Sequence, residues 1–517
     1  MTVMVGSADD PKGNEPTRRR PPMHDLTEAD VAALADQYNL DVAESELGDL
    51  ASLVNGGLAG LEAVRKVPTS RTSAAGDNRE WWQPPPSDYN AIVTACEVPP
   101  PDGAGDDLAG VSVGLKDNIA VAGVPLTCAS PVMDGYVPDE DAVVVERLLD
   151  AGATVAAKTN LDAFGNVGQG TNGLFGPIRN PHDTDRTAGG SSGGSAVAVL
   201  EDRVDVALGS DTGGSVRIPA AYCGLVGHKP TAGLVPSLGM FENTPLFDCI
   251  GPITETVAES AAVLDAIAGP VAVEPLTVRA DWEGGYEPGA ATAAVESAPE
   301  LSSLTLGVLD HGFGGNTTDR VADQTHARLD RLEDAGATLT HVDVDHVEHA
   351  TAVKNTLSLV SNAMYWGRGT HDNRDERSRR SLPADFTVRR DARSGRLNTE
   401  LKAKVVAGAA LLENDGGSLY RTAMAARDVL TDAFETALAD VDALVTPTMP
   451  TVATAIDNSP PDFDYGQNVR PASVTGGPAV TVPAGTVEGL PVGLHLAGPR
   501  YADADLLAAA ATVAAVE

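Results

Sequence analysis

From residue 108 onward the chain alternates short apolar runs with helical segments, and this alternation restricts the fold more than any other feature. LAGVSVGL alternates as a strand, DAVVVERLLDAG has helical spacing closed by Gly152, and TVAAK returns to strand. SGGSAVAVLE opens a helix ahead of the strand VDVALGS. Later, LTLGVLDHG, VADQTHARLDRLEDAG and ATLTHVDV form a strand–helix–strand unit, and DALVTPTMP and PAVTVPAG read as further strands. Strands separated by helices need crossover connections, so their neighbours run parallel. The expected fold class is α/β: a large mixed or parallel sheet covered by helices.

The N-terminal part reads differently. Residues 1–22 are polar and are expected to be a flexible lead-in. Thr27-Glu28-Ala29-Asp30 opens a helical pattern carried by Val31, Leu34 and Tyr38, and Leu50, Leu53 and Leu58 continue it to about Val67. A small α-helical cap is expected there. Residues 69–90 read as a linker, with Trp81 and Trp82 as candidate docking anchors. The expected domains are therefore 23–85, helical segment and linker, and 86–517, catalytic domain, with residues 270–300 as a surface excursion.

The chain carries 36 Lys and Arg against 73 Asp and Glu, a formal net charge of −37. The acids are spread along the sequence, whereas a disordered tail would form a block of like charge. Distributed excess acid on a folded core suits a surface adapted to molar salt, where self-repulsion is screened. An ordinary acidic enzyme is the weaker reading. No basic face is evident to neutralise phosphates, so direct nucleic-acid binding is not expected. Cys96, Cys128, Cys223 and Cys249 lack metal-site spacing, which argues against zinc or disulfides. Arg18-Arg19-Arg20 is followed by no apolar segment, and no run reaches membrane-spanning length. A cytoplasmic protein, in a high-salt cell and without a membrane partner, is the expectation.

Three glycine-rich patterns compete for the chemistry. Gly168–Gly173 satisfies GxGxxG but lacks the strand before and the helix after that a dinucleotide turn requires. Gly189-Gly190-Ser191-Ser192-Gly193 satisfies GxSxG, yet the polar NPHDTDRTA precedes it where a nucleophile elbow needs a buried strand. Gly209-Ser210-Asp211-Thr212-Gly213-Gly214-Ser215 does follow a strand, and its glycines let successive N–H groups converge on an anion. Upstream, Lys116 ends an apolar strand in a chain with only eight lysines. Desolvation there lowers the pKa of an amine and makes it a base, although a solvated charge is the ordinary role of such a lysine. His182, His228 and His495 are isolated and are expected to be structural.

The segments GLKDNIAVAGVPLTCAS, NPHDTDRTAGGSSGGSAVAV, DVALGSDTGGSVRIPAAYCGLVGHKPTAGLVP and DCIGPIT together resemble the amidase signature family. The 24-residue interval from Ser191 to Ser215 matches that family's spacing, and the likeness runs from about residue 85 to the C-terminus. The resemblance implies that Ser215 is the nucleophile, that Ser191, held through a cis peptide, relays the proton, and that Lys116 is the base. It implies an oxyanion hole from the N–H groups of Thr212, Gly213, Gly214 and Ser215. Asp211 and Arg217 are expected to brace the loop and Ser192 to cap or hydrogen-bond; the family expects no cofactor and no metal.

Two branches of the family fit. GSDTGGSVRIPAAYCGLVGHKPT is similar to the A subunit of the tRNA-dependent glutamine amidotransferase, which releases ammonia for a partner subunit. Against it stand the helical N-terminal segment and Cys249, where that subunit usually has glutamine. LTLGVLDHGFGGNTTDRVADQTHARLDRLEDAGATL resembles the acylamide amidases with a helical cap. The favoured expectation is a stand-alone amidase acting on a small-molecule amide, with the cap making a homodimer. Substrate-lining residues are expected at Met133, in the 166–173 loop and from Gly239 to Thr244. A non-enzymatic anion-binding protein would not need Lys116, Ser191 and Ser215 together.

Overall fold

The computed structural model describes residues 25–37, 40–59, 61, 78–271, 286–368, 386–457 and 464–516. The expected lead-in, the tail of the first helical run and part of the 270–300 excursion lie outside them. The chain divides into two compact units, residues 1–71 and 72–517.

In the first unit, helices Glu28–Gln37 and Leu47–Leu58 follow the apolar spacing read above. Thr27 accepts the Asp30 amide while Asp30 accepts the Thr27 amide at 2.8 Å, closing the first turn reciprocally. Asn55 ties the second helix back to Leu26 through two hydrogen bonds.

The second unit is built on a 12-stranded mixed sheet. Its first half contains β1 (Glu80–Trp82), β2 (Ile92–Val98), β3 (Ser112–Lys116) and β4 (Thr154–Thr159). A separate two-stranded sheet holds β5 (Arg179–Asn180) and β6 (Asp183–Thr187). The large sheet continues with β7 (Val206–Asp211), β8 (Val226–Lys229), β9 (Cys249–Thr254), β10 (Thr305–Leu309) and β11 (Thr338–Val342). It ends with β12 (Ala443–Pro447), β13 (Ala479–Val487) and β14 (Leu490–Ala497). The spatial order is β1-β2-β4-β3-β7-β9-β8-β13-β14-β12-β10-β11. The crossover units read from sequence are parallel as expected: β3 lies between β4 and β7, and β10 between β11 and β12. Central strands such as β7 and β9 are buried throughout.

The expected linker around Trp81 and Trp82 is instead an edge strand. Both tryptophans pair with β2, opposite Cys96 and Ala95, and stay 45% and 46% exposed. All four cysteines are buried and free. Among the described residues no helix is long and apolar enough to cross a membrane.

Candidate active site

Strands β3 and β7 run side by side with Leu115 opposite Leu208, so Lys116 and Ser210 end up at the same carboxyl edge. Ligands in open α/β sheets bind at such edges. The helix Gly193–Leu200 packs on β3 and β7, and Ser191 lies just before its first turn. Its first turn lies so close to the backbone that a Cβ on Gly194 would sit 2.4 Å from both Ala91 O and Asn160 N. Only glycine fits there.

These elements bring Lys116 and Ser191 together. Lys116 Nζ lies 2.7 Å from Ser191 Oγ, 2.8 Å from Ser210 Oγ and 3.2 Å from Ser210 O. The Lys116 side chain is fully buried, and burial pushes its pKa down to about 7 against the opposing pull of Asp162, Asp211 and Asp248. The bond between Gly190 and Ser191 is cis.

The glycine loop follows β7 directly. Ser192 stitches it to the strand, with Oγ at 3.2 Å from Ser210 O and N–H donating to Ser215 O at 3.2 Å. Asp211 accepts from Gly214 N at 2.6 Å, from Val216 N at 3.2 Å, and from Arg217 Nε and Nη2, both at 3.0 Å. Burial alone would raise the Asp211 pKa. The charge and hydrogen bonds of Arg217, with smaller help from Lys229 and Gly214, instead bring it to about 2. Arg217 is itself fully satisfied by Val469 O, His495 Nε2 and Ser473 Oγ, each at 2.8 Å. The bracing expected of Asp211 and Arg217 is therefore a dense buried network.

The same network reaches the expected oxyanion hole. Gly214 gives its N–H to Asp211 and holds φ at +119°, so that amide is engaged within the loop. The N–H groups of Thr212, Gly213 and Ser215 have no hydrogen-bond partner among the described residues. Ser215 Oγ has none there either, and the residue is 7% exposed. Asp248 fixes Thr212 by accepting its hydroxyl at 2.5 Å, together with the amides of Asn243 and Thr244.

Several of these partners escape sequence reasoning. Ser210 sits inside the third glycine pattern, where nothing local distinguishes it from a loop residue. Asp162 organises the 166–173 loop by accepting the amides of Gly170 and Asn172 at 2.8 and 2.9 Å. Lys354, on the helix Ala350–Arg368, reaches the loop from a distant part of the chain: a Cβ on Gly213 would lie 2.9 Å from its Cε. No local pattern signals that approach. Met133, expected to line the pocket, is fully buried in an apolar cluster with Phe164, Phe241 and Trp366. Two of the histidines have structural partners, His182 at Cys223 O and His495 at Arg217, whereas both ring nitrogens of buried His228 lack a hydrogen-bond partner among the described residues, and burial, Lys229 and Arg217 push its pKa down to about 3.

A buried lysine on a serine, at the carboxyl edge of parallel strands and beside a loop of unpartnered amides, is the equipment of a nucleophilic-serine α/β enzyme. A family model described as Amidase matches residues 101–507, and the chain belongs to that family of amidase signature enzymes. It is 38% identical to the A subunit of glutamyl-tRNA(Gln) amidotransferase from Halobacterium salinarum, over 82% of this chain and 99% of that one. The native peptide amidase of Stenotrophomonas maltophilia is 32% identical, covering 78% of this chain and 82% of its own with a TM-score of 0.65. The solved structure of PAM12A, 27% identical with a TM-score of 0.67, covers 95% of this chain and 97% of its own.

The relatives overturn the expectation about partners. The expectation of a small-molecule amide and a second copy of the chain as partners, with no direct nucleic-acid contact, does not agree with relatives whose name ties them to glutamyl-tRNA(Gln) and to one component of an assembly. The charge argument failed for a physical reason. Net charge governs phosphate contacts at this chain's own surface and says nothing of what a partner subunit would hold.

Proposed function

We propose that Ser215 attacks the carbonyl carbon of a carboxamide, forming an acyl-enzyme that water then hydrolyses, with ammonia as the first product. The observation that carries this is the environment of Lys116. A neutral amine has two N–H donors and one lone pair. Ser210 O and Ser210 Oγ, at 3.2 and 2.8 Å, take the two donors. The lone pair is left for the hydroxyl of Ser191 at 2.7 Å. Ser191 passes its proton to Lys116 and takes the proton of Ser215 as the new C–O bond forms. The amides of Thr212, Gly213 and Ser215 receive the developing oxyanion. The C–N bond breaks as the proton returns through Ser191 to the leaving nitrogen. Deacylation repeats the relay with water in place of Ser215.

We infer that the amide is the side-chain amide of glutamine, and that the chain is the ammonia-releasing component of a tRNA-dependent amidotransferase. The near-complete coverage of the Halobacterium relative supports this reading. Its source, and a net charge of −37, support a protein that works in concentrated salt. A second reading, a stand-alone amidase of the acylamide or peptide type, is favoured by the likeness to peptide amidase and by PAM12A, whose 95% coverage takes in part of residues 1–71.

Ammonia release by the full chain in molar KCl separates the two. Glutaminase activity that needs a partner subunit supports the first reading; turnover of propionamide or a peptide amide by the chain alone supports the second. Ser215→Ala should lose at least about a thousandfold in kcat in either case. Full activity in Ser215→Ala rejects the proposed nucleophile.

A further inference from the structure

Beside the glycine loop, three cations from three separate elements act on one another. Lys354 comes from the helix Ala350–Arg368, Lys404 from Thr399–Asp415 and Arg470 from Arg470–Thr475. Lys354 lies against Gly213, where an added Cβ would be 2.9 Å from its Cε and 3.5 Å from its Nζ. Lys404 donates to the backbone carbonyl of Asn166. Asn166 follows Gly165, whose own Cβ position is 3.5 Å from Ser191 Oγ and 3.8 Å from Lys116 Nζ. Lys354 thus touches the glycine loop itself, and Lys404 the residue that follows Gly165 beside the serine–lysine pair. Both lysines are half-buried.

The charges do not balance within the protein. Arg470 is paired with Asp464 and also bonds Thr351. Neither lysine has a carboxylate within ion-pair distance among the described residues. Burial lowers Lys354 to about 7, and Lys404 and Arg470 push it the same way while Asp248 and Asp211 oppose them. Lys404 is lowered to about 8 by burial and Arg470, with Asp162 and Glu400 opposing. Desolvated like charges are held together here without a counter-ion, which is an arrangement that an anion relieves.

We propose that Lys354, supported by Lys404, receives a carboxylate carried by the acyl portion of the substrate, so that the enzyme selects amides of dicarboxylic or amino-dicarboxylic acids over uncharged amides. The inference rests on the acyl-serine reading above and names the substrate class for that site. Gly213 has a part in it: the missing side chain lets the ammonium approach the loop that would hold the reacting carbonyl.

The test compares succinamate with butyramide, and glutaramate with valeramide, in each pair a terminal carboxylate replacing a methyl group. Ammonia release is measured with the full chain in molar KCl, together with its partner subunit if one is required. The wild-type enzyme should prefer the charged member of a pair by at least about tenfold in kcat/KM. In Lys354→Met the charged amides should lose about 10- to 150-fold more in kcat/KM than their uncharged counterparts. Lys354→Arg should retain most of the preference. Equal losses on charged and uncharged amides, or a wild-type preference for the uncharged ones, would overturn the proposal while leaving the amidase reading intact. Ammonia from none of the amides, glutamine included, would overturn the amidase reading itself.

Discussion

Raising the pH from about 6 to about 8 should increase kcat/KM for an uncharged amide about tenfold and then bring it to a plateau. The perturbation acts on Lys116, the proposed base, because an amine accepts a proton only when neutral. With its pKa lowered to about 7 by burial, the neutral fraction is about 9% at pH 6, about 50% at pH 7 and about 91% at pH 8. An unperturbed lysine near 10.5 would be neutral in only about 0.03% of molecules at pH 7, so burial raises the working fraction by about three powers of ten. The sign follows from the charge type: desolvation disfavours the ammonium, lowers the pKa and brings the rising limb to neutral pH. An uncharged amide is required because Lys354 also titrates near 7. For a carboxylate-bearing amide, loss of that ammonium would raise KM over the same range. The assay is ammonia release under kcat/KM conditions from pH 5 to 9.5 at constant molar KCl, with acylation followed by burst kinetics. A rate still rising tenfold per unit at pH 9 would show that Lys116 is not depressed. A rate independent of pH across the range would show that it is not the base.

Other expectations concern the scaffold. Asp211→Asn should leave Arg217 as an uncompensated buried charge and cost about 3–5 kcal/mol, read as a lower denaturation midpoint; an unchanged midpoint would mean that the network does not hold the loop. Because the Asp211 pKa is depressed to about 2, its stabilising contribution should be fully present above about pH 4 and disappear as the pH falls toward about 2, measurable by acid titration of wild type against the variant. With a net charge of −37, Tm should climb steeply as KCl rises from about 0.1 to about 3 M. A Tm independent of salt would reject adaptation of the surface to concentrated salt.

Much of the molecule is legible along the chain because it depends on local spacing. Apolar runs broken by helical segments announce β3, β4, β7, β10 and β11 and their parallel pairing. The interval from Ser191 to Ser215, with Lys116 at a strand end, marks the site before any geometry is known. Trp81 and Trp82 read as linker because a short polar-flanked segment becomes a strand only when a partner, here β2, supplies the hydrogen bonds. Met133 misleads for a similar reason: an apolar side chain lines a pocket or fills a core according to what packs on it, and Phe164, Phe241 and Trp366 do so here.

Neighbouring residues dictate the alternation that makes an α/β sheet, the family likeness, and the residue types proposed as nucleophile, relay and base. Their spacing directly sets backbone path and side-chain direction. The electrostatics come from the three-dimensional arrangement. The lysine has its pKa lowered to about 7 because burial disfavours the ammonium, and it meets Ser210 because β3 and β7 are in register. Asp211 holds its charge because Arg217 is locked by Val469, Ser473 and His495, more than 250 residues away along the chain. Lys354 reaches Gly213 across 141 positions. Burial and charge depend on what surrounds a group in space, and no spacing along the chain encodes that.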